Sequence, residues 1–556
     1  VAAGRPDVEV VSRGGAIDHV RDVAGFEAAC LLAFALAALV AAVLLVGQAI
    51  VRYTTVTVAD LRVLRTLGLT PRLAVLTAVT GPALAAVTGA GLGVVAALLI
   101  SQRMPFGAAA AVEPAPGLDA DVLVLAGGWL ATVAVVLATS AAAAALAHAA
   151  SRRRTVARRS AVVRATTKAG LPVPVVMGSR FALDPGRGTD ALPVRPALFG
   201  AVIGVLGVVA AFTFSAGVAD AAEHPERFGQ PYEIDLGFGY GDTDLTPPSV
   251  VLPLLEADQD VTAILDTRFT PAQAGGTSVN TFQYDSAGRA LPIALTDGAA
   301  PRTADDIVVA PTTARQLGLG VGSTISLNGK LGAHSYRISG LGFVPQTAYN
   351  DYNHGAWLNP AGYRQLFATG FLNHEAFLAV RPGADVDAVL TRLNANARSA
   401  LGPQAVLFMS KSALPKQVVE IRDVRVLPLV LGGFLALLAV GAVGHALATA
   451  VRRRRRDVAV LRALGMTRRQ SRELVVTQAS VLAVIGLLFG IPLGLALGRT
   501  LWRLVSDTTP LQYIPPVAFW TLVLIVPLAL AIANLLAALP GRLAARMHVA
   551  NVLRAE

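Results

Sequence analysis

Four histidines, His224, His334, His354 and His374, stand in the one long stretch of this 556-residue chain that is rich in Pro, Gly, Asp and Thr. None has a metal-binding spacing such as HExxH, in which two imidazoles one helical turn apart face one ion. "NHGAW" and "NHEAF" are weak signals, and these histidines read as surface or turn residues. No nucleophile elbow accompanies them, nor any carboxylate pair that sequence alone could assign. The phosphate-cradling loop GxxxxGK[ST] is absent from the chain. The single cysteine, Cys30, excludes an intrachain disulfide. The pattern that carries information is of another kind. "RRRRRDVAVLRALGMTRRQSRELVV", residues 452–476, sets five arginines in a row before charges mixed with Val458, Val460, Leu461 and Leu464. Its chemistry is that of a contact surface, so the question is what it is held against.

The segment has a twin. "DLRVLRTLGLTPR" at 60–72 matches "DVAVLRALGMTRR" at 457–469 at eight of thirteen positions. Five matched pairs, Asp60/Asp457, Leu64/Leu461, Arg65/Arg462, Leu67/Leu464 and Gly68/Gly465, make up the motif. Gly465 tolerates the left-handed conformation that ends a helix. Thr467 and Gln470 have the spacing of a capping box. In the first copy Thr70 takes the cap, and Pro71 sits at the first helical position, where proline is favoured. Both copies therefore read as a short charged helix, a glycine break and a capped apolar helix. The short helix is too charged for lipid and is expected to lie on the membrane face, with Leu461 and Leu464 exposed on one side.

The elements around the motif are membrane elements. Hydrophobic residues make up 54% of the chain and charged ones only 15%, against about 25% charged in soluble proteins. Seven apolar runs, near 26–50, 73–100, 122–150, 197–217, 426–451, 475–498 and 517–539, are long enough to cross a bilayer, which takes roughly 20 residues. If the chain starts outside, the segments 51–72, 151–196, 452–474 and 540–556 lie inside. They hold 26 of the 47 Lys and Arg and 6 of the 36 Asp and Glu, so the inside carries +20 and the rest −9. That split obeys the positive-inside rule and accounts for the basic balance without nucleic acid. Trp502, Tyr513 and Trp520 flank the last outside loop, as interfacial aromatics would.

The organisation that follows is a duplication. Residues 1–25 end a first outer region, and 26–150 form a first three-helix unit. Residues 151–196 are a basic linker inside, 197–217 a span, 218–425 an outer domain and 426–556 a second three-helix unit with its tail. By symmetry a further span and outer domain are expected upstream of Val1. The apolar helices after each motif share a second feature. Gly486, Gly490, Gly494 and Gly498 recur every fourth residue, and Gly89 and Gly93 match the first two at the same offset. Small residues at this spacing let membrane helices approach closely, as fixed packing or as a moving seam. In the outer domain "DDIVVA", "STISLNG" and "HSYRISGLGFV" read as strands. "PTTARQLG" and "DVDAVLTRLNANARSAL" read as helices, giving a mixed α/β domain.

With these residues in view, the chain resembles the FtsX-like permease domain of MacB-type ABC transporters. "RRRRRDVAVLRALGMTRRQ" before a Gly-rich span carries that likeness. "ARQLGLGVGSTISLNG", "YRISGLGFV" and "LAVRPGADVDAVLTRL" resemble the family's extracytoplasmic domain. The resemblance spans nearly the whole chain. It implies a polytopic α-helical membrane protein with a mixed α/β extracytoplasmic domain, here with seven transmembrane helices in tandem FtsX-like units. It also implies a permease with no ATPase domain, cofactor or metal of its own, ATP and Mg²⁺ belonging to a partner. In the family a short cytoplasmic helix docks into that ATPase. Carried over, the docking helices are roughly 57–68 and 454–465, with Asp60, Leu64, Arg65, Leu67, Gly68, Asp457, Leu461, Arg462, Leu464 and Gly465. Two units in one chain resemble a fused pseudo-dimer that takes two copies of an ABC ATPase subunit. A topology anchor without a partner is the alternative, but it does not need the repeated Leu-Arg-x-Leu-Gly. The implied setting is the bacterial plasma (inner) membrane, with lipids and an extracellular lipoprotein or hydrolase as further partners. Family members extrude drugs or peptides, extract lipoproteins, or transmit motion to outer hydrolases without transport. No residue here chooses among these, and a ligand-sensing receptor is the reading from another class.

Overall fold

The computed structural model describes residues 70–102, 117, 120–150, 168–183, 194–287, 291–347, 350–402 and 408–546, with scattered positions between 32 and 57. After the helical positions scattered between 32 and 57 come four helices: α1 (Pro71–Ser101), α2 (Val122–Ala150), α3 (Val173–Leu183) and α4 (Val194–Glu223). Then come β1 (Ile234–Tyr240), β2 (Thr243–Asp244), α5 (Pro248–Glu256), β3 (Val261–Ala274), β4 (Thr277–Gln283), β5 (Asp285–Ala287) and β6 (Leu295–Gly298). The mixed region continues through β7 (Asp306–Val309), α6 (Pro311–Leu317), β8 (Thr324–Gly329), β9 (Gly332–Gly342), β10 (Ala356–Leu358) and α7 (Pro360–Phe367). It closes with β11 (Asn373–Val380), α8 (Val386–Leu401), β12 (Phe408–Lys411) and α9 (Lys416–Val424). Four more helices follow: α10 (Leu427–Arg453), α11 (Arg455–Ala463), α12 (Arg468–Thr508) and α13 (Phe519–Arg546).

These elements form two compact units. One is drawn from Val1–Ala216, Asp423–Thr500 and Pro516–Glu556, the other from Gly217–Arg422 and Leu501–Pro515. Among the described residues, six helical stretches are long and apolar enough to cross a membrane: Leu76–Ser101, Val122–Ala145, Ala197–Glu223, Leu427–Arg452, Arg468–Asp507 and Phe519–Leu543. They fall on six of the seven expected runs. The run at 26–50 lies mostly outside the described residues.

In the helical unit, α12 lies on α4 along the glycine stripe. A Cβ added to Gly486 would stand 3.0 Å from the Ala201 carbonyl oxygen, and one at Gly490 2.6 Å from Val205 Cβ. At Gly494 it would stand 2.7 Å from the Leu206 carbonyl oxygen, and at Gly498 2.7 Å from that of Ala210. The two backbones thus touch, which is the reason for four small residues in register. Gly178 does the same for α3, where a Cβ would stand 2.8 Å from the Leu474 carbonyl oxygen. Gly89 and Gly93 differ: nothing described lies within 4 Å of their Cβ positions. Their helix, α1, pairs with α2, where Trp129 Nε1 donates to the Val87 carbonyl at 3.4 Å.

The second unit is a twelve-stranded sheet in the order β12-β1-β11-β3-β4-β10-β7-β9-β6, with β2, β5 and β8 paired off this path. Alternation decides its faces. Ile234, Leu236 and Phe238 of β1 point with Ile264, Ala376 and Leu378 toward α5 and α8, meeting Val251, Leu255, Val389 and Leu393. Leu265, Phe269, Phe282, Trp357 and Phe377 pack on the other side. A third cluster joins α6 and α7 to the sheet through Ala314, Tyr363, Leu366 and Phe367. Trp502 departs from its expected place in an interfacial belt. It is buried, because Gly217 leaves room for its ring: a Cβ there would stand 2.6 Å from it.

Gly490→Leu is expected to destabilise the helical unit by at least the ~1–3 kcal/mol of an overpacked contact, because the 2.6 Å approach leaves no void. Leu488→Ala, on the exposed side of the same helix, is expected to stay within about 0.5 kcal/mol of the parent. Thermal unfolding of both variants in one detergent measures the difference.

Candidate functional site

The site is built where α10 gives way to α11. The chain leaves helical geometry at Arg454, with φ −92° and ψ 20°. Arg454 is buried, and its guanidinium stands 4.3 Å from the Phe181 ring centroid of α3. A desolvated cation over an aromatic face gains roughly 2 kcal/mol, so one arginine of the run of five serves as a structural hinge. α11 then starts with Asp457 in its first turn and has Arg462 in its last, the arrangement that the helix dipole favours.

Two sides of α11 have different fates. Val458 is buried and Leu461 half-buried in a cluster with Phe181, Leu447, Val451, Leu474 and Val475, and Ala459 is buried as well. Asp457 is exposed, with Val460 at 47% and Leu464 at 80%. At 100° per residue Asp457, Val460 and Leu464 share one side. The expected pairing of Leu461 with Leu464 on an exposed face is therefore corrected. Val458 turns inward and takes Leu461 part of the way with it, so Val460 joins Leu464 outside. Arg462 is half-buried at the side of the helix.

Both ends of the turn after α11 are closed by hydrogen bonds. Gly465 takes φ +104°, which favours glycine. The Met466 amide donates to the Leu461 carbonyl at 3.0 Å and the Gly465 amide to that of Arg462 at 3.1 Å, a Schellman motif. Two residues on, the Thr467 amide donates to Gln470 Oε1 at 2.9 Å, and the Gln470 amide to Thr467 Oγ1 at 3.2 Å. This is a reciprocal capping box. Arg469 and Glu473 pair one turn apart at 2.9 Å; being exposed, the pair contributes little. In the first copy Thr70 Oγ1 accepts from the Leu73 amide at 3.4 Å, with Pro71 at the start of α1. Asp60, Leu64, Arg65, Leu67 and Gly68 lie outside the described residues.

The outer domain holds a residue that sequence reasoning passed over. His374 is buried, not a surface or turn residue, and each ring nitrogen meets a carboxylate: Asp244 at 2.6 Å and Asp266 at 2.7 Å. His224 and His334 pair with Asp220 and Asp305 at the surface. Burial lowers the pKa of His354. Among the described residues no group of three His, Cys, Asp or Glu is placed to hold a metal. No local signal marks His374, since its partners lie 130 and 108 residues away.

Comparison with known proteins bears on both units. A family model for the MacB-like periplasmic core domain matches residues 197–396, and one for the FtsX-like permease C-terminal domain matches 429–549. Over those residues the chain is of the FtsX/MacB-like permease type. It is a polytopic membrane protein whose mixed α/β domain is of the MacB periplasmic type. Members are generally non-enzymatic membrane components that work with an ABC ATPase. Among solved structures it is similar to the periplasmic region of MacB from Actinobacillus actinomycetemcomitans, with 12% identity, TM-score 0.23, and coverage of 35% of this chain and 95% of that one. It is also similar to a domain of a putative permease protein from Porphyromonas gingivalis, with 13% identity, TM-score 0.22, and coverage of 33% and 88%. No curated protein matches it. In the FtsX-like match, α11 is the short charged helix between two apolar ones.

Thr467→Ala is expected to lower stability by ~1 kcal/mol, the usual worth of an N-cap. Because Thr467 and Gln470 satisfy each other, adding Gln470→Ala is expected to cost less than the sum of the two single changes. Unfolding midpoints of the three variants measure the coupling.

Proposed function

We propose that the chain is the permease subunit of an ABC transporter, coupling ATP hydrolysis in a separate ATPase to movement of its extracytoplasmic domain. The reading places it in the bacterial plasma membrane with residues 218–425 outside, supported by the split of +20 against −9. The observation that carries the coupling is the outward side of α11. Val460 and Leu464 stand exposed beside Asp457 on a helix fixed from beneath by Val458 and Leu461 and closed by two sets of hydrogen bonds. A helix so held can pass a push from a docked partner into α10 and α12 without bending first. Gly465 and Arg462 contribute the turn and flank of that surface. Asp60, Leu64, Arg65, Leu67 and Gly68 repeat the motif in sequence, which is the basis for proposing two docked ATPases per chain. ATP and Mg²⁺ belong to those subunits. The cargo fits the membrane setting as a hydrophobic or amphipathic molecule, a lipid, lipoprotein, peptide or drug. The same coupling would serve equally to move the outer domain against a cell-wall hydrolase.

Replacing both Val460 and Leu464 by Asp tests the reading without disturbing the fold, because exposed substitutions usually stay within about 0.5 kcal/mol. An apolar contact that must bury unpaired charge loses several kcal/mol, so at least a ~10-fold loss of the co-purifying ATPase is expected. A full complement of ATPase on the folded double variant would show that α11 is not the docking helix. Leu461→Asp is a poorer probe, since that side chain also packs inward.

A further inference from the structure

His374 has no part in coupling, yet its surroundings are unusually specific. Asp244 Oδ1 lies 2.6 Å from Nδ1, and Asp266 Oδ1 lies 2.7 Å from Nε2. The Phe238 and Phe371 rings enclose the imidazole, with centroids 5.2 and 5.3 Å away. An ionised carboxylate only accepts hydrogen bonds, and a neutral imidazole has one N–H and one lone pair. With both carboxylates ionised, the two contacts are attractive together only while the ring carries both protons. Once one proton leaves, a nitrogen lone pair faces an oxygen lone pair at 2.6 or 2.7 Å.

The charged groups around the ring favour the protonated form on balance. Burial opposes the charge on His374. The hydrogen bonds and charges of Asp266 and Asp244 outweigh that opposition and hold its pKa above the ordinary 6.5. Arg268, directly across on β3, is the opposing cation, and it stacks on Phe371 at 5.5 Å. Asp242 faces from the β1–β2 turn but is paired with Lys330 at 2.6 Å. Glu375 is the next residue of β11, and Asp285 lies across from Asp266 on β5.

The two carboxylates are held with unequal strength. Asp266 belongs to the fourteen-residue β3, paired with β11 on one side and β5 on the other. Asp244 ends the two-residue β2, whose ladder is Gly239↔Asp244 and Tyr240↔Thr243, followed by the Leu245 and Thr246 amides donating to the Phe238 carbonyl at 2.8 and 3.2 Å. The turn between them needs φ of +60° at Gly241 and +66° at Asp242. Gly239 has no room for a side chain, since a Cβ would stand 2.8 Å from the Asp244 Cα. Asp244 is therefore the end that yields. We propose that the Asp244–His374–Asp266 bridge is a proton-operated latch: with both ring protons present it pins β2 and the exposed Leu245 to the sheet, and loss of one proton to solvent releases the Asp244 end.

The direction is set by the raised pKa. The latch contributes fully below 6.5 and is lost as pH rises through the higher folded value. Hydrogen exchange of the full chain in lipid nanodiscs, corrected for intrinsic exchange, reads it at the amides of residues 243–246. Their protection is expected to fall by roughly tenfold for each unit by which the folded pKa exceeds the unfolded one. Asp244→Asn is the informative variant, because an amide can either accept from or donate to a ring nitrogen. It is expected to keep the segment protected at every pH. His374→Gln is expected to remove the pH dependence by a different route. Equal parent protection below 6.5 and well above it would overturn the latch, as would a pH-dependent loss that persists in Asp244→Asn. Should His374→Gln fail to fold, the Asp244→Asn comparison decides alone.

Discussion

A nine-residue helix carrying Arg455, Arg456, Asp457 and Arg462 has almost no stability of its own and is too charged for hydrocarbon. α11 persists because Val458 and Leu461 are drawn into the cluster beneath it and because Gly465 and Thr467 close the chain behind it. The same burial leaves Val460 and Leu464 outward. Stability and the proposed contact surface are thus two results of one packing arrangement. Arg454 belongs to it too, since its stacking on Phe181 ties α3 to the corner between α10 and α11.

Downstream of that corner the constraint changes to backbone proximity. Four glycines bring α12 against α4 closely enough that the neighbouring carbonyl oxygens and Cβ atoms occupy the space of any side chain. A seam of this kind has little freedom to separate. Motion imposed at α11 would therefore be carried by α12 and α4 together. This favours fixed packing over a sliding seam for Gly486, Gly490, Gly494 and Gly498. Gly89 and Gly93, open among the described residues, give no such guidance for the first copy.

What could be read from the sequence follows the range of the interactions. The caps at Thr467 and Thr70 and the break at Gly465 depend on neighbours within four residues, and they stand where the spacing put them. The six spans, the strands 306–309, 324–329 and 332–342, and the helices 311–317 and 386–401 announce themselves through local period. The exposed side of α11 was legible only in part. A helical wheel orders Val458, Val460, Leu461 and Leu464 around the axis, but the surrounding cluster decides which of them faces in. α3 was missed because its apolar run is too short to span a bilayer and sits in a basic linker; Pro174 falls within its first turn, where proline is tolerated. His374 was unreadable for a different reason, since its two partners meet it only once β2, β3 and β11 are assembled.

The account stands on α11 facing the compartment that holds ATP while the α/β domain faces the other. Two single cysteines in a Cys30→Ala background test this directly, one at Leu464 and one at Leu331, both exposed large residues. Intact cells are treated with a membrane-impermeant thiol reagent, and labelling is read before and after the membrane is opened. Leu331→Cys is expected to label at once and Leu464→Cys only after opening. Labelling of Leu464→Cys in intact cells, with Leu331→Cys protected, would put α11 on the side without ATP and contradict the coupling role.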